Sequence, residues 1–351
     1  MTKYIYKYFS PEGLKKSKNV SNSSHLIIKE AEKFGVDWKI IPGTQIVTLN
    51  YHGQEKSYYH QIPTTTTALA VYATKNKKIT SNLLQQGGIS VPRGYRIRRD
   101  HNNDSLMEVF NILQKPIVVK PTDGTWGENI SLNITTPEQY FEAVDLALAY
   151  SQKKKTGVIV EEMFSGDEYR VLCTRDKVIG ILKRVPANVV GNGKDSIKKL
   201  IQEKNKEEIR GSKGSDKSHL RIMIDKSLKK YLAEQELDLD TVLQKGNQVF
   251  LRKVSNISQG GDAYDYTDIA HPSVKEIALK AINTIPGLAF AGIDFMSSDI
   301  TKKQTKDDYV IIEINDSPGF DIHDIPYQGK NRHAAREFLF LIFPELRDLK
   351  V

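Results

Sequence analysis

Val118-Val119-Lys120-Pro121-Thr122-Asp123-Gly124-Thr125-Trp126-Gly127 is the stretch on which the reading of this chain turns. An apolar run ends in a lysine and passes at once into a glycine-bearing loop. Glycine lacks the Cβ that would hold an anion away, so such a loop lets backbone N–H groups approach a phosphate. It is neither a Walker loop, since no Gly-Lys-Ser/Thr closes it, nor a Gly-x-Gly-x-x-Gly dinucleotide turn. A second stretch places three oxygen donors at the ends of apolar strands: Gly292-Ile293-Asp294, then Glu313-Ile314-Asn315. Alternation along Tyr309–Asn315 sets Glu313 and Asn315 on one face and Ile312 and Ile314 in the core. With Asp294 on another strand, these hard donors suit Mg²⁺ bridging nucleotide phosphates. A carboxylate among Val, Ile and Phe without a cation is costly, although a structural salt bridge would serve any one of them.

A third stretch, Glu161-Glu162-Met163-Phe164-Ser165-Gly166-Asp167-Glu168-Tyr169-Arg170, reads as a strand edge that turns through Ser165-Gly166 and returns. Its backbone suits an adenine edge and Glu168 suits ribose hydroxyls, but a solvated hairpin would look the same. Together the three stretches predict a chain that makes or breaks a phosphoanhydride.

Composition sets the bounds. At 351 residues the chain has room for two or three lobes. A hydrophobic content of 39% with 27% charged residues describes a globular rather than a disordered protein. No apolar run approaches the roughly 20 residues that span a bilayer. The N-terminal segment lacks an apolar core and a small-residue cleavage site, so a cytoplasmic protein without a signal peptide or membrane partner is expected. The single cysteine, Cys173, excludes an internal disulfide and reads as a buried bystander. A net charge of +8 favours anionic partners, a nucleotide among them. No zinc-finger, RNP-type or basic-zipper signature supports nucleic acid.

Helical spacing marks Ser24–Phe34, Ala68–Thr74 behind a tract of threonines, Thr80–Gln86 stopped by Gly87-Gly88, Pro137–Tyr150, Pro272–Thr284 and Arg332–Ile342. Strands are expected at Trp38–Ile41, Gln45–Asn50, Lys56–Gln61, Ile117–Lys120, Val158–Glu162, Tyr169–Cys173, Lys177–Arg184, Val249–Val254, Ala289–Met296 and Tyr309–Asn315. The charged stretch Ser196–Lys230 reads as a mobile lid or an exposed linker.

These residues resemble the ATP-grasp superfamily of carboxylate–amine ligases, above all the ATP-grasp module of cyanophycin synthetase and of bifunctional glutathione synthetase. The similarity runs from Thr64 to Leu346. The resemblance implies an α+β ATP-grasp fold in three parts. These are an N-terminal lobe (1–66), a central nucleotide-binding lobe (67–190), and a lid segment with a C-terminal, metal-bearing lobe (191–351). It makes Lys77 and Lys120 the phosphate lysines and Asp123, Gly124 and Gly127 part of the glycine loop. Asn76 stands where the family usually has an aspartate. Glu161, Glu162 and Phe164 match the adenine hinge, Glu168 the ribose-binding glutamate, and Asp294, Glu313 and Asn315 the metal ligands.

The segments Arg184-Val185-Pro186-Ala187-Asn188, Phe250-Leu251-Arg252-Lys253 and Asn256-Ile257-Ser258-Gln259-Gly260-Gly261 resemble the cyanophycin-synthetase branch. Arginine's planar fork suits phosphoryl oxygens, which makes Arg252 the candidate catalytic cation beside Lys120. Ser258, Gly260 and Gly261 are candidates to cradle the substrate carboxylate, with Arg170 and Arg184 as weaker anion ligands. His323 is weighed as a base on the acceptor side, and no base stands out.

The implied activity is ATP-dependent amide formation through an acylphosphate, with amino acids or a short peptide as substrates and with two Mg²⁺ ions, for which Mn²⁺ can substitute. The chain shows no second ligase module, so a lone ATP-grasp unit is expected, and the resemblance allows a homodimer. Ligation onto an acidic peptide or protein, and a regulatory nucleotide-binding protein, stay open as alternatives.

Overall fold

The computed structural model describes residues 20–98, 101–122, 130–152 and 157–349. The expected loop residues Asp123, Gly124 and Gly127 lie outside them. Ser21 accepts from Ser24 N and caps helix α1 (Asn22–Lys33), which buries Ile27, Ile28 and Ala31. An antiparallel meander follows: β1 (Asp37–Ile40), β2 (Ile46–Tyr51), β3 (Gln54–Tyr59) and β4 (Ile62–Pro63), paired in chain order. Thr67 caps α2 (Ala68–Lys75), and Asn76 accepts from Lys78 N and Ile79 N to cap α3 (Lys77–Gln86).

The next unit is β5 (Gly94–Ile97), α4 (Asn103–Ile112), β6 (Ile117–Pro121), β7 (Ser131–Ile134), α5 (Pro137–Gln152) and β8 (Val158–Glu162). Its antiparallel sheet has the order β5-β8-β6-β7. Ile117, Val119, Val158 and Val160 share one core with Phe110 of α4 and Tyr140 of α5. Alternation therefore turns Val118, Lys120 and Glu161 to the other face.

The largest sheet starts with β9 (Asp167–Thr174) and β10 (Val178–Val185). A small unit is then inserted: β11 (Asn188–Val190), α6 (Ile197–Lys204), β12 (Arg210–Gly211), β13 (His219–Leu220), α7 (Lys226–Ala233) and β14 (Gln248–Phe250). The chain returns through β15 (Asp262–Asp265), α8 (Pro272–Thr284), β16 (Phe290–Ser297) and β17 (Tyr309–Asn315), and ends with α9 (Asp321–Asp324) and α10 (Ala334–Ile342). The antiparallel order is β15-β10-β9-β16-β17.

One face of this sheet packs Val171, Cys173, Ile293 and Phe295 under α2, α3 and α8. On the other face Leu172 and Phe290 meet Phe320 and Phe338, together with the N-terminal α1–β3 layer. Further along the same face, Glu168, Arg170 and Asp294 are left for the cavity. Cys173 is fully buried, and burial pushes its thiol far up.

The segment expected as a lid is a folded unit with its own core, including Ile197, Ile201, Ile222, Leu228, Leu232 and Leu251. It is tied to the large sheet at Asp262, which takes Arg210, Lys204 at 2.7 Å and Asn188 at 2.9 Å. The expected strand Val249–Val254 stops at Phe250, because Leu251 N turns to Ala187 O. The large sheet takes β9 and β10 from before residue 190 and β15, β16 and β17 from after it. β8 and β9 are consecutive yet belong to different sheets, joined by residues 163–166. No helix among the described residues is long and apolar enough to cross a membrane.

Two predictions concern this packing. Phe338 is fully buried and packs edge-on against Tyr58 at 5.4 Å and Phe290 at 5.0 Å. Phe338→Ala should lower unfolding stability in urea by about 3–5 kcal/mol, and a loss under 1 kcal/mol would show that the N-terminal layer is held elsewhere.

His219 Nε2 accepts from Ala263 N, so the ring is neutral; burial, then the charge of Arg210, lowers its pKa to about 4. A depressed histidine contributes stability that is full above the unfolded value near 6.5 and lost as pH falls towards 4. Going from pH 7.5 to 5 should cost on the order of 2 kcal/mol at this residue. The melting temperature of His219→Gln should fall less over that range than the parent's; equal falls would refute the assignment.

Candidate active site

A cavity of about 610 Å³ lies between the β5–β8 sheet and the open part of the large sheet. One wall presents Val118, Lys120 and Glu161, with Ile130 and Leu132 beside them. Lys120 is 7% exposed and donates to Glu161 at 2.5 Å. Where the chain crosses between sheets, Met163, Phe164 and Gly166 line the cavity. A Cβ at Gly166 would stand 2.5 Å from Ser297 O, so the crossing needs glycine. Lys77, at the start of α3, and the loop Lys253–Asn256 complete the lining.

The opposite wall is charged. It presents Glu168 and Arg170 from β9, Arg184 from β10, Asp294 and Met296 from β16, and Glu313 and Asn315 from β17. Asp294 accepts from Arg170 Nε at 2.7 Å and lies 3.1 Å from Arg184 Nη2. Burial alone would raise the Asp294 carboxyl, but the two guanidinium charges outweigh it and hold the group below the usual carboxylate range. Glu168 accepts from Arg184 and from Ser255 Oγ, which ties the loop Lys253–Asn256 to β9.

Asp294 and Glu313 stand opposite each other in the β16–β17 register, with Asn315 opposite Gly292. Glu313 has no ion pair or side-chain hydrogen bond among the described residues. No cluster of three His, Cys, Asp or Glu side chains is placed to hold a metal among those residues. The oxygen donors brought together here are two carboxylates and an amide, a set that suits a hard dication.

The structure thus brings together Lys77, Lys120, Glu161, Glu162, Phe164, Glu168, Arg170, Arg184, Asp294, Glu313 and Asn315. It places other expected residues outside the lining. Arg252 is 7% exposed and turned to the inserted unit, where it donates to both oxygens of Asp225 at 2.9 and 2.7 Å and to Met223 O. Ser258 Oγ donates to Asn256. Gly260 and Gly261 are buried and allow close packing: a Cβ would meet Ile222 Cγ1 or Val185 O at 2.7 Å. His323 is fully buried, and burial lowers its pKa to about 3.

Ile312 departs from its expected place in the core and lines the cavity beside Glu313. The register shifts between Asp294 and Phe295, so Ile312 is the extra residue of a β-bulge, and strict alternation fails there. Ser255 and Met296 carried no separate signal, although Ser255 stands between two of the segments that carry the resemblance.

No protein-family model matches the chain. It is 39% identical over 324 residues to a cyanophycin synthetase of Geminocystis herdmanii, across 92% of this chain and 36% of that protein. It is 33% identical over 327 residues to a glutathione biosynthesis bifunctional protein of Clostridium perfringens, across 92% of this chain and 41% of that one. The chain therefore spans about two fifths of the length of these curated relatives. Among solved structures, a bifunctional glutathione synthetase from Pasteurella multocida matches with a TM-score of 0.73 at 27% identity, over 94% of this chain and 45% of that one. The two sheets, the cavity between them and these likenesses agree, and the chain belongs to the ATP-grasp superfamily.

Proposed function

We propose that this chain catalyses ATP-dependent ligation of a carboxylate to an amine, using amino acids or a short peptide. The observation that carries this reading is one cavity that gathers Lys120 on its first wall, Lys77 beside it at the start of α3, and the Asp294–Glu313–Asn315 donors on its second wall. In the first step a substrate carboxylate oxygen attacks the γ-phosphorus of ATP, and ADP leaves. The amine nitrogen then attacks the acyl carbon of the acylphosphate, phosphate leaves, and the nitrogen loses a proton.

Each wall has its part. Lys77 and Lys120 neutralise phosphate oxygens, which phosphoryl transfer needs more than covalent help. Lys120 exchanges Glu161 for the nucleotide. Met163, Phe164, Met296 and Ile312 supply an apolar slot for the base, and Glu168 suits the ribose hydroxyls. Asp294, Glu313 and Asn315 would hold two Mg²⁺ ions, or Mn²⁺ in their place, which supply charge neutralisation at the transferring group. Arg252 acts through position, fixing the start of the loop that carries Lys253, Ser255 and Asn256 into the cavity. His323, neutral and outside the lining, is not the base in this scheme.

The direct test is release of ADP and phosphate with Mg²⁺ and ATP, across amino acids and short peptides singly and in pairs. Release that requires two substrates together supports the ligase; release indifferent to every amine argues for a plain ATPase. Glu313→Ala should lower that turnover at least ~100-fold with its melting temperature kept, and turnover near the parent's would reject the metal assignment. Lys120→Ala should weaken ATP use by about tenfold or more while the circular dichroism spectrum stays the same. Unchanged ATP affinity and turnover in that variant would remove Lys120 from the site.

A further inference from the structure

The charges on the cavity's second wall are unevenly shared. Asp294 is held by two guanidinium groups, one on each oxygen. Glu313, opposite it, has no cationic partner among the described residues. Arg184 is itself divided, since the Nη2 that approaches Asp294 also bonds Glu168 on β9. Its Nε is buried with no hydrogen-bond partner. An unpaired donor in a buried wall is costly.

A dication between Asp294 and Glu313 would satisfy Glu313 and make one guanidinium on Asp294 surplus. Arg170 is the poorer candidate to leave. Its head packs over Gly292, where a Cβ would stand 2.8 Å from Nη1, and its bond to Asp294 runs through Nε, close to the strand. Arg184 reaches Asp294 with a terminal nitrogen and keeps Glu168 as an anchor when it lets go.

We propose that Arg184 is an exchangeable counter-ion, neutralising Asp294 while no divalent cation is present and yielding that carboxylate when one enters. Arg184 is then a positioning residue that sets how readily the site takes a free cation. The inference rests on the metal reading of Asp294, Glu313 and Asn315 given above.

The test is titration of Mn²⁺ into the nucleotide-free full chain, with free Mn²⁺ followed by electron paramagnetic resonance. Arg184→Met keeps the aliphatic stem and removes the competitor, so it should bind Mn²⁺ about tenfold more tightly than the parent. Arg184→Lys should stay near the parent. Equal or weaker binding by Arg184→Met would overturn the proposal.

Should Arg184→Met fail to fold, the parent serves by itself. The Arg184 Nε–H nuclear magnetic resonance signal, assigned by its loss in Arg184→Lys, should shift on adding Mg²⁺ without nucleotide. A signal that stays still while Mg²⁺ binds also overturns the role. Glu313→Ala separates the two readings. If it binds Mn²⁺ as the parent does, the metal site falls and the counter-ion with it. If it loses Mn²⁺ while Arg184→Met matches the parent, only the counter-ion role falls.

Discussion

The pleat of β9 and β16 is the constraint from which the site follows. Alternate side chains on each strand share a face, so Leu172, Arg170 and Glu168 point the same way, as do Phe290, Asp294 and Met296. One end of that face is covered by the N-terminal layer through Phe320 and Phe338, and the other end is open to the cavity. A single strand thus serves as core and as cavity wall. A one-residue slip of register would exchange Asp294 for Phe295 and destroy both. The opposite face, filled by Val171, Ile293 and Phe295 under three helices, holds the register against that slip.

Charge within the wall is organised as a network. Ser255, Glu168, Arg184, Asp294 and Arg170 form a continuous path from the loop before β15 across β9, β10 and β16. Arg252 extends it into the inserted unit through Asp225, the N-cap of α7. That unit is fastened independently at Asp262 by Arg210 and Lys204, with Asp262 and the Arg210 side chain fully buried. Removing one member of such a buried set leaves a charge without a partner, which costs more than the pairing itself contributes. The inserted unit is therefore placed by ion pairs, while its interior is held by its own apolar core.

Much of this was legible in the residues and some was not. The strands at Ile117–Pro121, Val158–Glu162, Phe290–Ser297 and Tyr309–Asn315 stand where their apolar runs end in polar residues. Pro272–Thr284 is helical over the expected span, with proline at its first turn. Ile312 leaves the core for the cavity because a β-bulge, which leaves no trace in an apolar-polar pattern, breaks the alternation there. The planar fork that makes Arg252 a candidate for phosphoryl oxygens suits a carboxylate equally, and the structure turns it to Asp225 beyond the end of the ladder at Phe250. The helices at Ile197–Lys204 and Lys226–Ala233 were hidden by their charge, since each buries only two side chains.

By itself, the sequence determined which residue types were available and where the apolar runs placed them: Lys120 and Asp294 each following an apolar run, Glu313 and Asn315 two apart in another. Those are local properties, set by periodicity and by the cost of an unpaired charge among apolar neighbours. Only the tertiary structure decided which of them meet. Strand order brings Arg170 and Arg184 onto Asp294 across 124 and 110 residues of chain. The same order leaves Glu313 without an ion-pair partner among the described residues, although the sequence gives it the same standing as Asp294. Pairing between distant strands is fixed by the global register, which no local pattern encodes.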